Sequence, residues 1–189
     1  MAKTCQLVML SLLSFSAFIS VMAEHQPFMS NASLKGKKQT HLRFFWHDTL
    51  SGSNPTSITV AKPSNANTSA VFDFGFVNVF DNPITEGPEL ESKLLGRSQG
   101  FYTDASQNTE PFQVLFSSLN FAFTEGKYNG STVTVLGRNP ILSTVREMPL
   151  IGGSGVFRFA EGYALLHTHR FNPQTRDAIV EYNIYVWHY

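Results

Sequence analysis

From residue 41 to the last residue, apolar side chains recur at every second position, and no apolar 3.6-residue repeat runs for three turns. That periodicity commits the chain to β-strands, because successive side chains of a strand point to opposite faces. In residues 41–48, Leu42, Phe44, Trp46 and Asp48 share one face, and Arg43, Phe45 and His47 share the other. Further strands are expected over residues 57–61, 71–80, 97–103, 112–124, 132–136, 156–168 and 178–189. Asn129-Gly130 suits a tight hairpin with positive φ at both central residues, and a turn is expected over residues 172–175. About eight strands separated by turns point to an all-β antiparallel barrel or sandwich. Closure into a barrel also removes exposed edges. Phe157, Phe159, Tyr163 and Leu165 share one face, as do Val180, Tyr182, Ile184 and Val186. The run at 112–124 is apolar on both faces: Leu115, Leu119, Phe121 and Phe123 oppose Val114, Phe116 and Ala122. One face fills an interior. The other needs cover, which a second copy of the chain would supply, so a homo-oligomer is expected.

The 189 residues allow one domain, two at most. Only 15% are charged and 42% are hydrophobic, which excludes a disordered chain. Zero net charge argues against a nucleic-acid partner, since phosphate binding needs a cationic surface. Residues 1–23 carry Lys3, an apolar run to Ile19 and small residues at Val21 and Ala23, the pattern of a cleaved secretory signal. That run is short for a membrane span, and no later stretch approaches the necessary ~20 apolar residues. Cys5 would leave with the signal, so the mature chain is expected to have no disulfide and no thiolate chemistry. Three sequons follow, at Asn31, Asn67 and Asn129, and are expected on exposed glycosylated loops. A fourth triplet, at Asn54, is blocked by Pro55. Residues 24–40, with Lys35, Lys37 and Lys38, are expected to form a flexible arm, and residues 41–189 the folded domain.

Asp48 is the residue most out of place by position. A carboxylate in register with Leu42, Phe44 and Trp46 loses hydration, which raises its pKa unless a cation answers it. It is either a candidate acid or proton relay, or a strand-end residue that caps a turn. Arg146 precedes a glycine-rich stretch, Gly152-Gly153-Ser154-Gly155. At a barrel mouth its guanidinium would hold a phenolate or a leaving oxygen; on a surface it would pair with Glu147. The glycine-rich stretch lacks the Lys-Ser/Thr and the following helix of a phosphate loop, and reads as a flexible turn. His167 and His169 face the same way on a strand, but without a third ligand nearby they read as structural, and no metal or other cofactor is expected. His47 and His188 read as interface or surface residues. No serine sits in a nucleophile elbow.

Several stretches together resemble the dirigent protein family of plants: Phe45-Trp46-His47-Asp48, Asp81-Asn82-Pro83-Ile84-Thr85, Gly96-Arg97-Ser98-Gln99-Gly100-Phe101-Tyr102, the run from Asn120 to Ser131, Leu136-Gly137-Arg138-Asn139-Pro140, Val145-Arg146-Glu147-Met148-Pro149 and Val180-Glu181-Tyr182-Asn183-Ile184-Tyr185-Val186. The resemblance implies an eight-stranded antiparallel barrel, usually trimeric, secreted to the cell-wall space, with a phenolic ligand inside. Family members direct stereoselective coupling of phenoxy radicals, as from coniferyl alcohol, into lignans. A separate extracellular oxidase, a laccase or peroxidase, makes the radicals. Pterocarpan synthases of the same family instead act as lyases on isoflavanols, through a quinone methide. By motif, Asp48, Tyr102 and Arg146 match pocket residues. The implied roles are Asp48 as general acid/base, Arg146 as partner of a phenolate or leaving oxygen, and Tyr102 as a hydrogen bond to the ligand. Phe44 and Phe159, from their faces, are candidate aromatic walls, and Asn139 a candidate substrate contact. Pinoresinol-forming members carry an aspartate at the position of Asn139 and a tyrosine at that of Asp104. These departures place the chain closer to the diverse branch that includes the pterocarpan synthases. A stereodirecting auxiliary is the first expectation and a pterocarpan-forming lyase the second. A non-catalytic wall or carbohydrate-interacting protein would follow only if the barrel interior were sealed.

Overall fold

The computed structural model describes residues 36–64, 73–107 and 113–189. The segment expected as a signal, most of the expected arm, and the sequons at Asn31 and Asn67 lie outside these residues. Nine strands occur among the described residues: β1 (Lys38–Asp48), β2 (Ser57–Ala61), β3 (Val77–Thr85), β4 (Leu94–Asp104), β5 (Val114–Phe123), β6 (Thr132–Pro140), β7 (Arg146–Ser154), β8 (Glu161–Phe171) and β9 (Ala178–His188). Two single 3₁₀ turns, Gly126–Tyr128 and Gly155–Phe157, are the helical content of the described residues.

Eight strands close into an antiparallel barrel in the order β1-β9-β8-β7-β6-β5-β4-β3, with β3 returning to β1. Closure is made by Phe45 opposite Thr85 and Trp46 opposite Ile84. The short β2 pairs with the first half of β3, so β1 and β2 in succession flank one long strand.

Alternation decides what fills the interior. Leu42, Phe44 and Trp46 of β1 meet Val180, Tyr182, Ile184 and Val186 of β9, and Leu115, Leu119, Phe121 and Phe123 of β5 complete the packing, all buried. Phe121 is fully enclosed, with its ring 4.8 Å from Phe44 and 5.0 Å from Tyr182. The 3₁₀ turn Gly155–Phe157 lies near one end of this core. It buries Phe157 against Tyr128, 5.0 Å between rings, and against His188, also 5.0 Å. A side chain at Gly153 would put a Cβ 2.3 Å from the Thr132 carbonyl oxygen and 2.8 Å from Phe157, so the close approach of β6, β7 and this turn requires glycine there.

Five expectations are corrected. Residues 146–154 form a strand, with Arg146, Met148 and Leu150 inward and Glu147, Pro149 and Ile151 outward; the glycine-rich stretch is its paired end and not a flexible turn. The expected strand over 156–168 is interrupted by the 3₁₀ turn and starts only at Glu161, because Phe159 takes a positive φ of 60°. The face of β8 that packs inside is therefore Ala164 and Leu166, not Tyr163 and Leu165. Asn129-Gly130 makes a type II turn: Asn129 stays at φ −49°, ψ 133°, only Gly130 is positive at 79°, and the Ser131 amide donates to the Tyr128 carbonyl. His47 and His188 are buried, not superficial; His47 Nε2 lies 2.6 Å from Thr85 Oγ1 and His188 Nε2 2.9 Å from Thr40 Oγ1. The first strand also begins at Lys38, inside the span expected as an arm, and Lys37 pairs with Glu161 at 2.6 Å.

Truncating a ring fully enclosed by this packing, Phe121→Ala, should cost about 3–5 kcal/mol of unfolding free energy in urea titrations. A cost near zero would mean that the interior does not pack around it.

Candidate functional site

A cavity of about 390 Å³ opens at one end of the barrel. Its apolar wall includes Trp46, Leu115, Leu119, Ile141 and Val180, and its polar groups include Asp48, Tyr102, Ser117, Asn139, Arg146, Thr168 and Tyr182. The size falls within the range of about 300–1,000 Å³ that small-molecule sites occupy. Strand alternation puts these groups inside: Asp48 ends the inward row of β1, Tyr102 lies in that of β4 just before Asp104, Asn139 ends that of β6, and Arg146 begins that of β7.

Asp48 is 5% exposed. Tyr102 donates its hydroxyl to Asp48 Oδ2 at 2.7 Å, and the Asn82 amide donates to Oδ1 at 2.9 Å. The Asn78 amide donates in turn to the Tyr102 hydroxyl oxygen at 2.9 Å. Burial pushes the carboxyl from 3.8 up to about 6, against the pull of hydrogen bonds from Tyr102, Asn82 and Ser57, and with a push from Asp177. A carboxyl poised there exchanges protons readily near neutral pH. Burial and the neighbouring carboxylate both hold the Tyr102 phenol protonated, far above its ordinary value.

Arg146 is buried and has no carboxylate partner among the described residues. Its guanidinium donates to Asn139 Oδ1 at 3.2 Å and Thr168 Oγ1 at 2.8 Å, while its Nε has no partner. Burial lowers its pKa, but a guanidinium stays charged in proteins. A buried cation answered only by neutral groups favours an oxyanion brought into the cavity.

The strand frame therefore brings Asp48, Tyr102, Asn139 and Arg146 to one cavity. It does not bring the two phenylalanines there. Phe44 is in the core, stacked on Tyr182 at 5.7 Å, and is absent from the cavity lining. Phe159 is 77% exposed in the turn before β8 and is corrected as a wall residue, because the positive φ takes it out of the strand pattern. His169 packs edge-on against the Phe45 ring, and His167 is in register with Glu181, itself opposite Phe45, so the two imidazoles share that face even though the β8 register slips between Thr168 and Arg170. The third sequon residue, Asn129, is exposed at its turn.

Tyr182 is the site residue that pattern reading missed. It lies in the inward row of β9, where alternation marks it only as core. Its ring is fixed by Phe44, Phe121 and Trp46, and its hydroxyl has no hydrogen-bond partner among the described residues. Burial holds its phenol protonated, with Arg146 acting in the opposite sense. A tyrosine in a row of aliphatic residues, in register with Leu166 and so one strand beyond Arg146, was the available clue.

A closed antiparallel barrel holding a largely apolar cavity, with a carboxyl and a guanidinium kept apart on its wall, defines a barrel with room for a small molecule. The family model described as dirigent-like protein matches residues 39–187, and the chain belongs to the dirigent family. Dirigent protein 21 of Arabidopsis thaliana is 51% identical over 82% of this chain and 79% of its own length. Pterocarpan synthase 1 of Glycyrrhiza echinata is 41% identical over the full length of both. The solved structure of a pterocarpan synthase dirigent protein superposes with a TM-score of 0.75 at 43% identity, covering 81% of this chain and 86% of that one.

The raised carboxyl pKa has a stability consequence. The native state binds the Asp48 proton more tightly than the unfolded chain, so stability is full below 3.8 and falls as pH rises through about 6. Asp48→Asn lacks this titration. The melting temperature of the variant minus that of the wild type should grow from pH 4 to pH 7 and level off above. A difference that does not change with pH would mean that Asp48 titrates as an ordinary surface carboxyl.

Proposed function

We propose that the protein is a stereodirecting auxiliary of phenoxy-radical coupling in phenylpropanoid, lignan-type synthesis, with Asp48 as its general acid/base and no oxidase activity of its own. The observation that carries this reading is the hydrogen-bonded Asp48–Tyr102 pair on the wall of a cavity whose other pole is Arg146. An extracellular laccase or peroxidase removes one electron and one proton from each phenol. Each radical then contributes one electron to the new carbon–carbon bond, and the product is a quinone methide on each ring. Its carbonyl oxygen gathers negative charge as a hydroxyl attacks the methide carbon, which suits the unpaired Arg146. The attacking hydroxyl releases its proton to Asp48, and the ring oxygen regains one to become a phenol again. Orientation supplies the stereochemistry: a guest pinned by one oxygen at Arg146 and another at Asp48–Tyr102 exposes one face only.

A second reading is favoured by the pterocarpan synthase relatives and by Asn139, which leaves a single acid in the cavity. There Asp48, protonated, gives its proton to the leaving hydroxyl of an isoflavanol. Water departs as the conjugated phenol gives up its proton to solvent, a quinone methide forms, and a second phenolic oxygen closes the ring, its proton returning to Asp48 while the quinone methide oxygen regains one from solvent. The accounting closes without an oxidant.

Localisation in the cell-wall space, cleavage after residue 23 and glycans on the sequons belong to the same reading, as does a homotrimer. The trimer is supported by an apolar strip on the outer barrel wall, where Ile58, Val79 and Phe101 lie opposite one another on β2, β3 and β4 and are 54%, 43% and 40% exposed. Light scattering of the purified protein should return three times the chain mass; a one-chain mass would overturn it.

The activity test supplies the purified protein with coniferyl alcohol and a laccase, and separately with an isoflavanol alone, and reads products on a chiral column. An enantiomeric excess in the first arm, lost in Asp48→Asn, supports the auxiliary. Ring closure without oxidant, slowed by about 10²–10⁴-fold in Asp48→Asn, supports the lyase and sinks the auxiliary. Racemic lignan with no ring closure sinks both.

A further inference from the structure

Asp48 is backed by a polar chain that reaches away from the cavity. The Thr49 amide donates to Thr56 Oγ1 at 3.3 Å. The Thr56 hydroxyl donates to Asn82 Oδ1 at 2.5 Å. The Asn82 amide nitrogen then donates to Asp48 Oδ1. Asn82 is fully buried and does not line the cavity. Each link sets the sense of the next. With its oxygen already accepting from Thr49, the Thr56 hydroxyl turns its hydrogen to Asn82. With its carbonyl oxygen held by Thr56, Asn82 can present only its N–H groups to the carboxyl. The reversed amide would set two acceptors against each other in a site closed to water.

We propose that Asn82, oriented by Thr56, is a positioning residue that keeps Asp48 Oδ1 a permanent hydrogen-bond acceptor and so confines the exchangeable proton to Oδ2, the oxygen shared with Tyr102. For its catalytic consequence the inference rests on the acid/base reading of Asp48; for its structural content it does not. A proton on Oδ1 would point at the Asn82 N–H. A proton on Oδ2 meets the Tyr102 hydroxyl, which can turn its own hydrogen toward Ser57 Oγ, 3.4 Å away, and accept from the acid. The Asn78 N–H already occupies one acceptor site of that phenol oxygen, so Tyr102 has these two settings and few others. Proton arrival at Asp48 and the turn of the Tyr102 hydroxyl are then one event. Oδ2 and Tyr102 form the reactive edge, and Oδ1 the anchored one. The other ionisable groups that act on this carboxyl are Tyr182 on β9 and Asp177 in the turn before it. Arg146, His167 and Arg176 line the same cavity, while His47, next in the chain, is engaged with Thr85.

The test is a pH titration of the Asp48 carboxyl carbon by ¹³C NMR on the full chain, assigned by its loss in Asp48→Asn. Removing a donor to the charged form raises a carboxyl pKa. Asn82→Leu should therefore move the midpoint up from about 6 by roughly one unit. Thr56→Val, which frees the amide to reverse with little change of shape, should move it the same way by less. Thr56→Ser, which keeps the hydroxyl, should restore the wild-type midpoint. If Asn82→Leu does not fold, the valine and serine pair decides alone. Midpoints equal to wild type in Thr56→Val and in any folded Asn82→Leu overturn the inference. The alkaline shift should recur in the pH–rate profile, with KM little changed. Should Asp48→Asn keep full activity while the midpoints still shift, the acid/base reading falls and the positioning role stands. Should Asp48→Asn be inactive and the midpoints stay fixed, the positioning role alone falls.

Discussion

Two opposite charges share one small cavity without meeting, and the site depends on that separation. Asp48 is answered by hydroxyl and amide donors, and Arg146 by an asparagine, a threonine and the neighbourhood of Tyr182. Had they paired, each would have satisfied the other, and the cavity would hold an inert ion pair. Kept on different strands of a rigid sheet, each retains a demand that an incoming molecule can meet: the acid for a proton to exchange, the cation for an oxygen bearing negative charge.

Asn139 shows how fine this balance is. An aspartate at that position would stand 3.2 Å or so from the guanidinium and neutralise it, adding a second carboxyl to the cavity. Asparagine accepts the same hydrogen bond and leaves the charge intact. Among the carboxyl and phenol groups of the cavity, Asp48 is the one poised to exchange a proton near neutral pH, because the Tyr102 and Tyr182 phenols are both held protonated by burial.

The frame that keeps these groups apart is an aromatic one. Phe44, Phe121, Tyr182 and Trp46 pack edge to face and in offset stacks beneath the cavity, with centroid separations of 4.8–6.3 Å. Rings so confined have few alternative rotamers, so the hydroxyl of Tyr182 reaches the cavity from a fixed base. The loop after β1 is tied to the turn before β9 through Asp177, which accepts from the Leu50 and Ser51 amides and the Ser51 hydroxyl and whose carboxyl these bonds hold below its ordinary value. The segment that carries Thr56 is thus held at both ends.

Alternation alone was enough to place Asp48 among buried rings and to make the chain an antiparallel all-β protein, since a period of two admits one geometry of side-chain display. The position of Arg146 before the glycine-rich stretch marked it as a candidate, and motif resemblance added Tyr102. Local pattern failed where the backbone left the pattern: at Phe159, whose positive φ ends the alternation, and at β7, where Pro149 and two glycines masked a strand. It also gave no reason to connect Thr56 or Asn82 with Asp48, or Tyr182 with Arg146. Those relations join residues on separate strands, and strand order and register are set by closure of the whole sheet. Where alternation ran unbroken, the inward side chains were therefore written in the chain, while which of them meet, and which charges are kept from meeting, was decided only when the barrel closed.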